Sequence, residues 1–466
     1  MRYRCEERRV GKSRWSNIQT VDQYVDIGTG YLIHSTVVLR VTVEVKIDLA
    51  HRIRLAAFIG RPTQQEADRH MTVEQQWNDF DHLTAAGLED PHSFFKDVRG
   101  QCPIGHSAKH GGFWTITGFE DVNEAARDAQ TFSSQQPGPG FPIFEGGPPM
   151  IANDPPLHRE FRAPLSKLFS PASAEKMREV VRGIITELID GFIADGKADL
   201  AAQLCTPLPA IVTFALLDLP ESAREDLPRW NAQLLAEGPS SAGAGHVAAM
   251  VHDLYDLRTA SPGDDIASQV LGFQIDGRPI SREEWEGLIV LLIMAGLDTT
   301  SNGGALILKY LSDNLEVRRF IKDNPDQLRP AIEELLRLVT PVPQHSRGVT
   351  HDVEIGGIEF HQGEVVLLSW IAANRDPECF SDPDTFSLDR PSNRHVAFGA
   401  GTHRCLGTHL AKVELQVLVE EVLDRLPDYR VIDEEVEHVP GLNRGMTRLG
   451  AVFSAGARSD EGNATV

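Results

Sequence analysis

The chain alternates long segments of helical period with short segments of strand period. Apolar residues recur at helical spacing over residues 173–194, 281–314 and 324–340. At the start of the second segment, Ser281 and Glu284 have the spacing of a capping box, in which each side chain satisfies a backbone N–H of the other residue. These patterns predict three helices, of which the second is long and apolar.

Segments with the patterns of strands and loops lie before, between and after these helices in the sequence. Residues 113–117 read as a strand, and residues 353–360 as a hairpin with a Gly-Gly turn. Two stretches are rich in Gly. Residues 132–150 predict a long loop, and residues 238–245 predict a flexible connection between helices. Helix predominates, so the predicted fold class is mainly α with a minor β component.

Residues 1–70 differ from the rest of the chain. They are rich in Arg, and the alternating run at residues 41–49 has no obvious partner strand. Met71 then opens a segment that reads like an ordinary bacterial start. We expect either that translation begins at Met71 or that residues 1–70 form a poorly ordered appendage, and that residues 71–466 form one domain.

The charge and cysteine content exclude several classes of protein. A formal net charge of −22 and an isoelectric point of about 5.2 argue against non-specific binding to nucleic acid or to anionic membranes. The five cysteines are scattered and lack C-x-x-C spacing, so a disulfide framework is not expected. The sequence has no apolar run of the length that spans a membrane, about 18 residues. We expect a cytoplasmic protein.

One cysteine, Cys405, lies in a Gly-rich turn directly before an amphipathic run. The start of a helix stabilises a thiolate through its free N–H groups and the positive end of its dipole. Gly401 and Gly407 would let the backbone pass close to a flat, bulky group, and His403 and Arg404 bring positive charge beside it. The alternative is a buried structural cysteine in a loop.

An acid and an alcohol, Asp298 and Thr299, lie in the middle of the long apolar helix. An Asp in such surroundings is costly unless it is partnered or functional. Thr299 can bond back to a backbone carbonyl and open the helix locally, and Gly296 would leave room above a cofactor. The alternative is a capped kink in a buried helix.

Two further pairs have helical spacing. Glu334 and Arg337 are three residues apart, and His158 and Arg162 are four apart, so each pair shares one helix face. The fork of an Arg side chain suits a carboxylate. The alternatives are a solvated ion pair of little energetic weight for the first pair, and plain surface residues for the second.

Together these segments resemble the cytochrome P-450 family. Residues 398–407 match the pattern F-x-x-G-x-[HR]-x-C-x-G at every fixed position, the Asp-Thr pair matches [AG]-G-x-[DE]-T, and the two other pairs match E-x-x-R and H-x-x-x-R. The resemblance extends over about residues 71–454, and residues 1–70 match nothing associated with the family. It implies the triangular, single-domain cytochrome P-450 fold, with residues 71–466 as the catalytic domain and non-covalent haem b between the long helix and the Cys loop.

The resemblance also implies roles for the site residues. Cys405 would be the axial ligand of the haem iron, Asp298 would belong to the proton relay, and Thr299 would make the hydrogen bond that steers O–O cleavage. A structural cluster that holds the fold around the haem would comprise Glu334, Arg337 and Arg390. The other haem-binding residues would be His158, Arg162, Arg347, Phe398, His403 and Gly407.

The implied reaction inserts one atom of O₂ into a small or medium hydrophobic substrate and reduces the other atom to water. Cys405 stands about sixty residues before the end of the sequence, too few for a fused reductase domain. The electrons would come from a separate ferredoxin or flavodoxin with an NAD(P)H-dependent reductase. A basic patch for that acidic partner would comprise Arg394, His395, Arg404 and Lys412. By position in the family pattern, the substrate pocket would draw on Phe141, Phe144, Leu291, Met294, Ala295, Val342 and Leu442.

Two other functions are compatible with a haem-thiolate site. One is an enzyme that uses peroxide, against which the intact Asp298-Thr299 pair argues, because peroxide brings its own protons. The other is a non-enzymatic haem binder or sensor, which no DNA-binding motif or fused signalling segment supports.

Overall fold

The computed structural model describes residues 72–83, 91–135, 149–439 and 443–459. The described residues from Val73 onward belong to one structural unit. The predictions for residues 1–70, for the start at Met71 and for most of the loop at residues 132–150 lie outside the described residues.

Helix predominates in the described part of the chain, as the hydrophobic period predicts. The α-helices in chain order are α1 Val73–Asp79, α2 Pro91–Arg99, α3 Phe119–Arg127, α4 Leu157–Leu168, α5 Pro171–Lys176, α6 Arg178–Asp190, α7 Pro207–Leu217, α8 Leu227–Glu237, α9 Ala242–Ala260, α10 Ile266–Val270, α11 Arg282–Asp313, α12 Leu315–Asp323, α13 Leu328–Val339, α14 Trp370–Ala373 and α15 Thr408–Arg425. A short π-helix, Ala201–Cys205, lies directly before α7.

The strands of the described residues form four sheets. In chain order they are β1 Ile104–Ser107, β2 Phe113–Ile116, β3 Phe132–Ser133, β4 Lys197–Asp199, β5 Gln274–Ile275, β6 Arg278–Pro279, β7 Gln344–Val349, β8 Val353–Ile355, β9 Ile358–Phe360, β10 Val365–Ser369, β11 Arg430–His438 and β12 Met446–Val452. One sheet has the order β1-β2-β10-β7-β3, in which only the β2–β10 pair is parallel, and a second has the order β11-β12-β4.

The long helix α11 begins at the predicted capping box. The Ser281 hydroxyl accepts a hydrogen bond from the Glu284 N–H, and the Glu284 carboxylate accepts one from the Ser281 N–H at 2.8 Å. The helix is long and apolar enough to cross a membrane, but 67% of its most apolar window is buried inside the protein. Such burial is typical of the core helix of a globular protein.

Two hydrophobic clusters meet along α11. The C-terminal half of the helix contributes Ile307 to a cluster that includes Leu335 of α13 and Leu418 of α15. The N-terminal half contributes Leu291 to a cluster that includes Phe214 of α7. The polar middle of α11 lies between the two clusters, where the packing of apolar side chains gives way to a cavity.

The predicted helix over residues 173–194 is divided. Helix α5 ends before Met177 and α6 follows it. The first helix also begins earlier than predicted, because the Ser170 hydroxyl accepts a hydrogen bond from the Ser173 N–H at 3.2 Å and Pro171 takes the first helical position.

The connection predicted over residues 238–245 is shorter than expected. Ser241 caps α9 by accepting a hydrogen bond from the Ala244 N–H, so Gly243 and Gly245 are helical. A Cβ atom at Gly243 would lie 2.3 Å from the Trp230 carbonyl oxygen, so a glycine here allows α8 and α9 to pack closely. The predicted strand at residues 113–117 and the hairpin at residues 353–360 are confirmed as β2 and as β8–β9.

Candidate active site

One cavity of about 570 Å³ brings most of the predicted site residues together. Its walls are largely apolar and include four residues predicted to contact substrate: Leu291, Met294, Ala295 and Val342. The other three, Phe141, Phe144 and Leu442, lie outside the described residues. The same cavity is lined by the Asp298-Thr299 pair and by all the residues predicted to contact haem: His158, Arg162, Arg347, Phe398, His403, Cys405 and Gly407.

The turn that carries Cys405 is fixed by backbone hydrogen bonds. The Cys405 N–H donates to the Phe398 carbonyl oxygen at 2.8 Å, and the Thr408 hydroxyl donates to the Cys405 carbonyl oxygen at 2.8 Å. The next residues, from Thr408, form α15. The thiol therefore stands at the N-terminus of an 18-residue helix and faces the cavity.

The Cys405 thiol is accessible through the cavity yet surrounded by protein. Burial raises the pKa of the thiol, whereas a hydrogen bond from the Gly407 N–H, the neighbouring Thr408 side chain and the charges of Arg162 and Arg404 lower it. The protein thus supplies several groups that favour the thiolate, which a metal ion would favour further.

The two glycines of this turn, Gly401 and Gly407, have different structural roles. Gly401 has a φ of 65°, and a Cβ atom there would lie 2.0 Å from the Ala126 carbonyl oxygen of α3. It therefore lets the turn pack against α3, rather than against the flat group that the sequence suggested. Gly407 does line the cavity, where a Cβ atom would lie 4.0 Å from Cys405 Sγ.

A group of basic side chains on the cavity fits an anion. The rings of His158 and His403 lie 4.6 Å apart, and no described residue bonds to either ring nitrogen of His158 or to His403 Nε2. Arg347 is buried and donates only to the adjacent Ser346 carbonyl oxygen within the described residues, while Arg162 donates to the Arg404 carbonyl oxygen at 2.6 Å. These unused donors suit the carboxylates of a haem.

Burial acts strongly on this group. It lowers the pKa of His158 to about 4 and that of Arg347 to about 10. A negatively charged ligand would offset the cost of keeping the Arg347 cation away from water, and the neutral ring of His158 could still donate one hydrogen bond to it. The residues present therefore fit a haem whose carboxylates lie on this side of the cavity.

In the middle of α11, Asp298 and Thr299 make the contacts of a polar pair in an apolar helix. The Thr299 hydroxyl donates to the Ala295 carbonyl oxygen at 2.9 Å, as expected, although the helix continues without a break. The Asp298 carboxylate accepts hydrogen bonds from two amides, Asn302 at 3.0 Å and Asn443 at 2.6 Å. Burial raises the pKa of Asp298, and these two bonds lower it in part.

The Glu334–Arg337 pair is fully buried rather than solvated. Arg337 donates to both carboxylate oxygens of Glu334 at 2.8 and 2.9 Å, and Arg390 donates to the same carboxylate at 2.9 Å. Burial alone would raise the pKa of Glu334, but the hydrogen bonds and charges of the two arginines hold it below its ordinary value. Arg337 also donates to the carbonyl oxygens of Asn374 and Pro383, which ties α13 to the chain that leads to the Cys loop.

The predicted basic patch is largely neutralised. Lys412 and His395 both pair with Glu333, at 2.6 and 2.9 Å, and Arg394 pairs with Glu120 at 2.9 Å. Only Arg404, of the four predicted residues, is exposed and forms no ion pair within the described residues. Sequence reasoning missed these acids because they come from distant helices.

Glu414 is a cavity residue that the sequence did not indicate. It lies in α15, is 3% exposed, and its Oε2 atom has no hydrogen-bond partner among the described residues. Burial raises its pKa to about 8. The sequence signal that could have indicated this residue is a glutamate between apolar residues of a helix.

This raised pKa should make the stability of the protein depend on pH. The folded protein holds a proton on Glu414 that the unfolded chain releases above about pH 4.5, so the free energy of unfolding should fall as the pH rises towards 8. In the native protein we expect the free energy of unfolding to fall by on the order of 3 kcal/mol between pH 5 and 8 because of Glu414. In Glu414→Gln this fall should be absent. Urea denaturation of both proteins across this range measures it.

The control for this experiment is Asp424→Asn, an exposed position on the same helix. It should leave the pH dependence of the native protein unchanged. Equal slopes in the native protein and in Glu414→Gln would show that Glu414 is ionised in the folded state at neutral pH.

Comparisons with known proteins agree with this geometry. The family model described as cytochrome P-450 matches residues 326–427. The mycinamicin IV hydroxylase/epoxidase of Micromonospora griseorubida is 33% identical over 372 residues, which cover 76% of this chain and 91% of that protein. The linalool 8-monooxygenase of Pseudomonas putida is 28% identical over 387 residues, covering 78% and 95%.

The fold has close counterparts among solved structures. The cytochrome CYP109Q5 of Chondromyces apiculatus superposes with a TM-score of 0.75 at 27% identity, covering 82% of this chain and all of that one. The match to most of the mycinamicin enzyme, the fold and the residues gathered on the cavity lead to one conclusion. This chain belongs to the cytochrome P-450 family and is a haem-dependent monooxygenase.

Proposed function

We propose that this monooxygenase inserts one oxygen atom of O₂ into a small or medium hydrophobic substrate held beside α11. The observation that carries the proposal is the convergence of three groups on one largely apolar cavity. These groups are Cys405, the basic residues that fit an anion, and the Asp298-Thr299 pair.

In this proposal Cys405 Sγ is the axial ligand of the haem iron. His158, Arg162, Arg347 and His403 would bind the haem carboxylates, because their donors face the cavity and are largely unused. Phe398 and Gly407 would lie against the haem from the Cys loop. Haem supplies the iron centre at which dioxygen is activated, and a thiolate ligand favours O–O cleavage.

Asp298 and Thr299 would take part in proton delivery. Asp298 holds a carboxyl group whose pKa burial raises, so it can carry a proton at its free oxygen nearer neutral pH than an exposed Asp can. Thr299, the next residue, would supply a hydroxyl beside it. The buried cluster of Glu334, Arg337 and Arg390 would keep the Cys loop in place, without contact with the reacting atoms.

The apolar walls favour a neutral hydrophobic substrate. Leu291, Met294, Ala295 and Val342 present only hydrocarbon and thioether surface to the cavity. Among the relatives, one is named for linalool and another for mycinamicin IV, and these names support an organic substrate. We propose Phe141, Phe144 and Leu442 as further pocket residues.

Met294→Trp should block this pocket. Met294 is 8% exposed and lies on the cavity wall one turn before Asp298, so an indole there would occupy the space of the substrate. A panel of terpenoid and aromatic compounds, scored by the shift of the haem absorption band, should give hits with the native protein. At least a tenfold weaker apparent affinity is expected for the variant. Equal affinity would place the substrate elsewhere.

As a family member the enzyme uses O₂, an organic substrate and electrons from redox partners. We propose a ferredoxin or flavodoxin, reduced by an NAD(P)H-dependent reductase, as the electron donor. The exposed charge of Arg404, next to Cys405, supports an acidic partner on that face. The net charge of −22 and the scattered cysteines support a cytoplasmic location.

A further inference from the structure

Among the described residues, no cationic side chain bonds to the carboxyl group of Asp298. Both of its hydrogen bonds, from Asn302 Nδ2 at 3.0 Å and from Asn443 Nδ2 at 2.6 Å, fall on the same oxygen, Oδ2. No described residue donates a hydrogen bond to Oδ1, and no charged side chain contributes to the shift in the pKa of Asp298. Both amides thus hold Oδ2, and Asp298 itself lines the cavity.

The two amides come from different parts of the fold. Asn302 lies one turn after Asp298 on α11 and is 3% exposed, so it is part of the core. Asn443 lies in the loop between β11 and β12 and is half-buried on the cavity wall. The sequence separation of 145 residues means that the loop must be placed accurately for its amide to reach Asp298.

Backbone hydrogen bonds hold the described residues next to Asn443. The Arg444 N–H donates to the Pro341 carbonyl oxygen at 2.7 Å, and the Val439 N–H donates to the Gly445 carbonyl oxygen at 3.1 Å. A Cβ atom at Gly445 would lie 1.8 Å from Asn302 Oδ1, so only a glycine allows the loop to approach so closely.

We propose that Asn443 is a positioning residue for proton delivery, which holds Asp298 through Oδ2 and leaves Oδ1 to exchange the proton. The proposal deepens the proposed function and rests on the role given there to Asp298. An amide suits this task because it donates a hydrogen bond without adding a full charge. A lysine or arginine in its place would instead stabilise the carboxylate strongly and disfavour protonation.

The test is a double-mutant cycle of Asn443→Leu and Asp298→Asn in the haem-loaded protein. The first readout is the infrared carboxyl band of Asp298, assigned as the band that Asp298→Asn removes. The second is coupling, the fraction of NADH electrons recovered in product with surrogate redox partners. We expect Asn443→Leu to shift the band and to lower coupling at least about threefold, since positioned proton transfer contributes a far larger factor, but to add little when Asp298 is already replaced.

Two results would overturn the proposal: an unchanged carboxyl band, or an equal loss of coupling with and without Asp298. If Asn443→Leu fails to bind haem, Asn443→Ala makes the same test with a smaller side chain. If Asp298→Asn itself leaves coupling intact, the role of Asp298 in the proposed function fails. The infrared band still decides whether Asn443 holds the carboxyl group.

Discussion

Asp298→Asn is expected to lower the rate of product formation about 10²-fold, the lower end of what a positioned acid contributes. The amide has the shape of the carboxyl group but cannot release a proton at neutral pH. NADH consumption should fall less than product formation, because electrons still arrive while protons do not. Steady-state assays with surrogate redox partners measure both quantities.

The matched control for this variant is Asp313→Asn on the same helix. Asp313 is exposed and pairs with Lys309 at the C-terminal end of α11, far from the cavity residues of the helix middle. It should have less than a twofold effect. Product formation driven by peroxide should be much less affected by Asp298→Asn, since peroxide brings its own protons. NADH-driven turnover that is insensitive to Asp298→Asn would favour the peroxide-using alternative.

Glu334→Gln should lower the free energy of unfolding by about 3–5 kcal/mol, the typical result of breaking a buried pair. The substitution leaves Arg337 and Arg390 without their carboxylate in a site where Glu334 and Arg337 are both fully buried. The Ser387 N–H and the Asn393 amide lose the charge of the same acceptor. Urea denaturation, followed by helix content, measures the change.

An exposed pair provides the comparison for this variant. Glu435 and Arg448 lie 3.0 Å apart on the surface of the second sheet, and Glu435→Gln should cost less than about 1 kcal/mol. If Glu334→Gln cost as little as Glu435→Gln, the cluster would not hold the fold around the haem.

The features that sequence reasoning located share a local signal. The capping box of α11, the four-residue spacing of His158 and Arg162, and the contiguous loop around Cys405 can each be read within one helical turn or one short loop. Their placement on a single cavity follows from the resemblance and from the fold, because nothing in those local patterns specifies how distant segments meet.

The features that it missed depend on contacts between distant segments. Asn443 carries no local sign that it reaches Asp298, since the contact depends on how the β11–β12 loop packs on α11. The same holds for Glu333, which lies far in sequence from His395 and Lys412 and neutralises both. Charges read along a sequence predict a surface patch poorly, because a folded chain brings opposite charges together.

The most direct test of a haem-thiolate site is the absorption spectrum of the reduced, CO-bound protein and of its Cys405→Ser variant. We expect a strongly red-shifted Soret band in the native protein and its loss in the variant, because a serine oxygen cannot replace the thiolate as a donor to iron. A native protein that binds haem and shows no such band, or a variant that retains it, would contradict the assignment of Cys405 as the ligand.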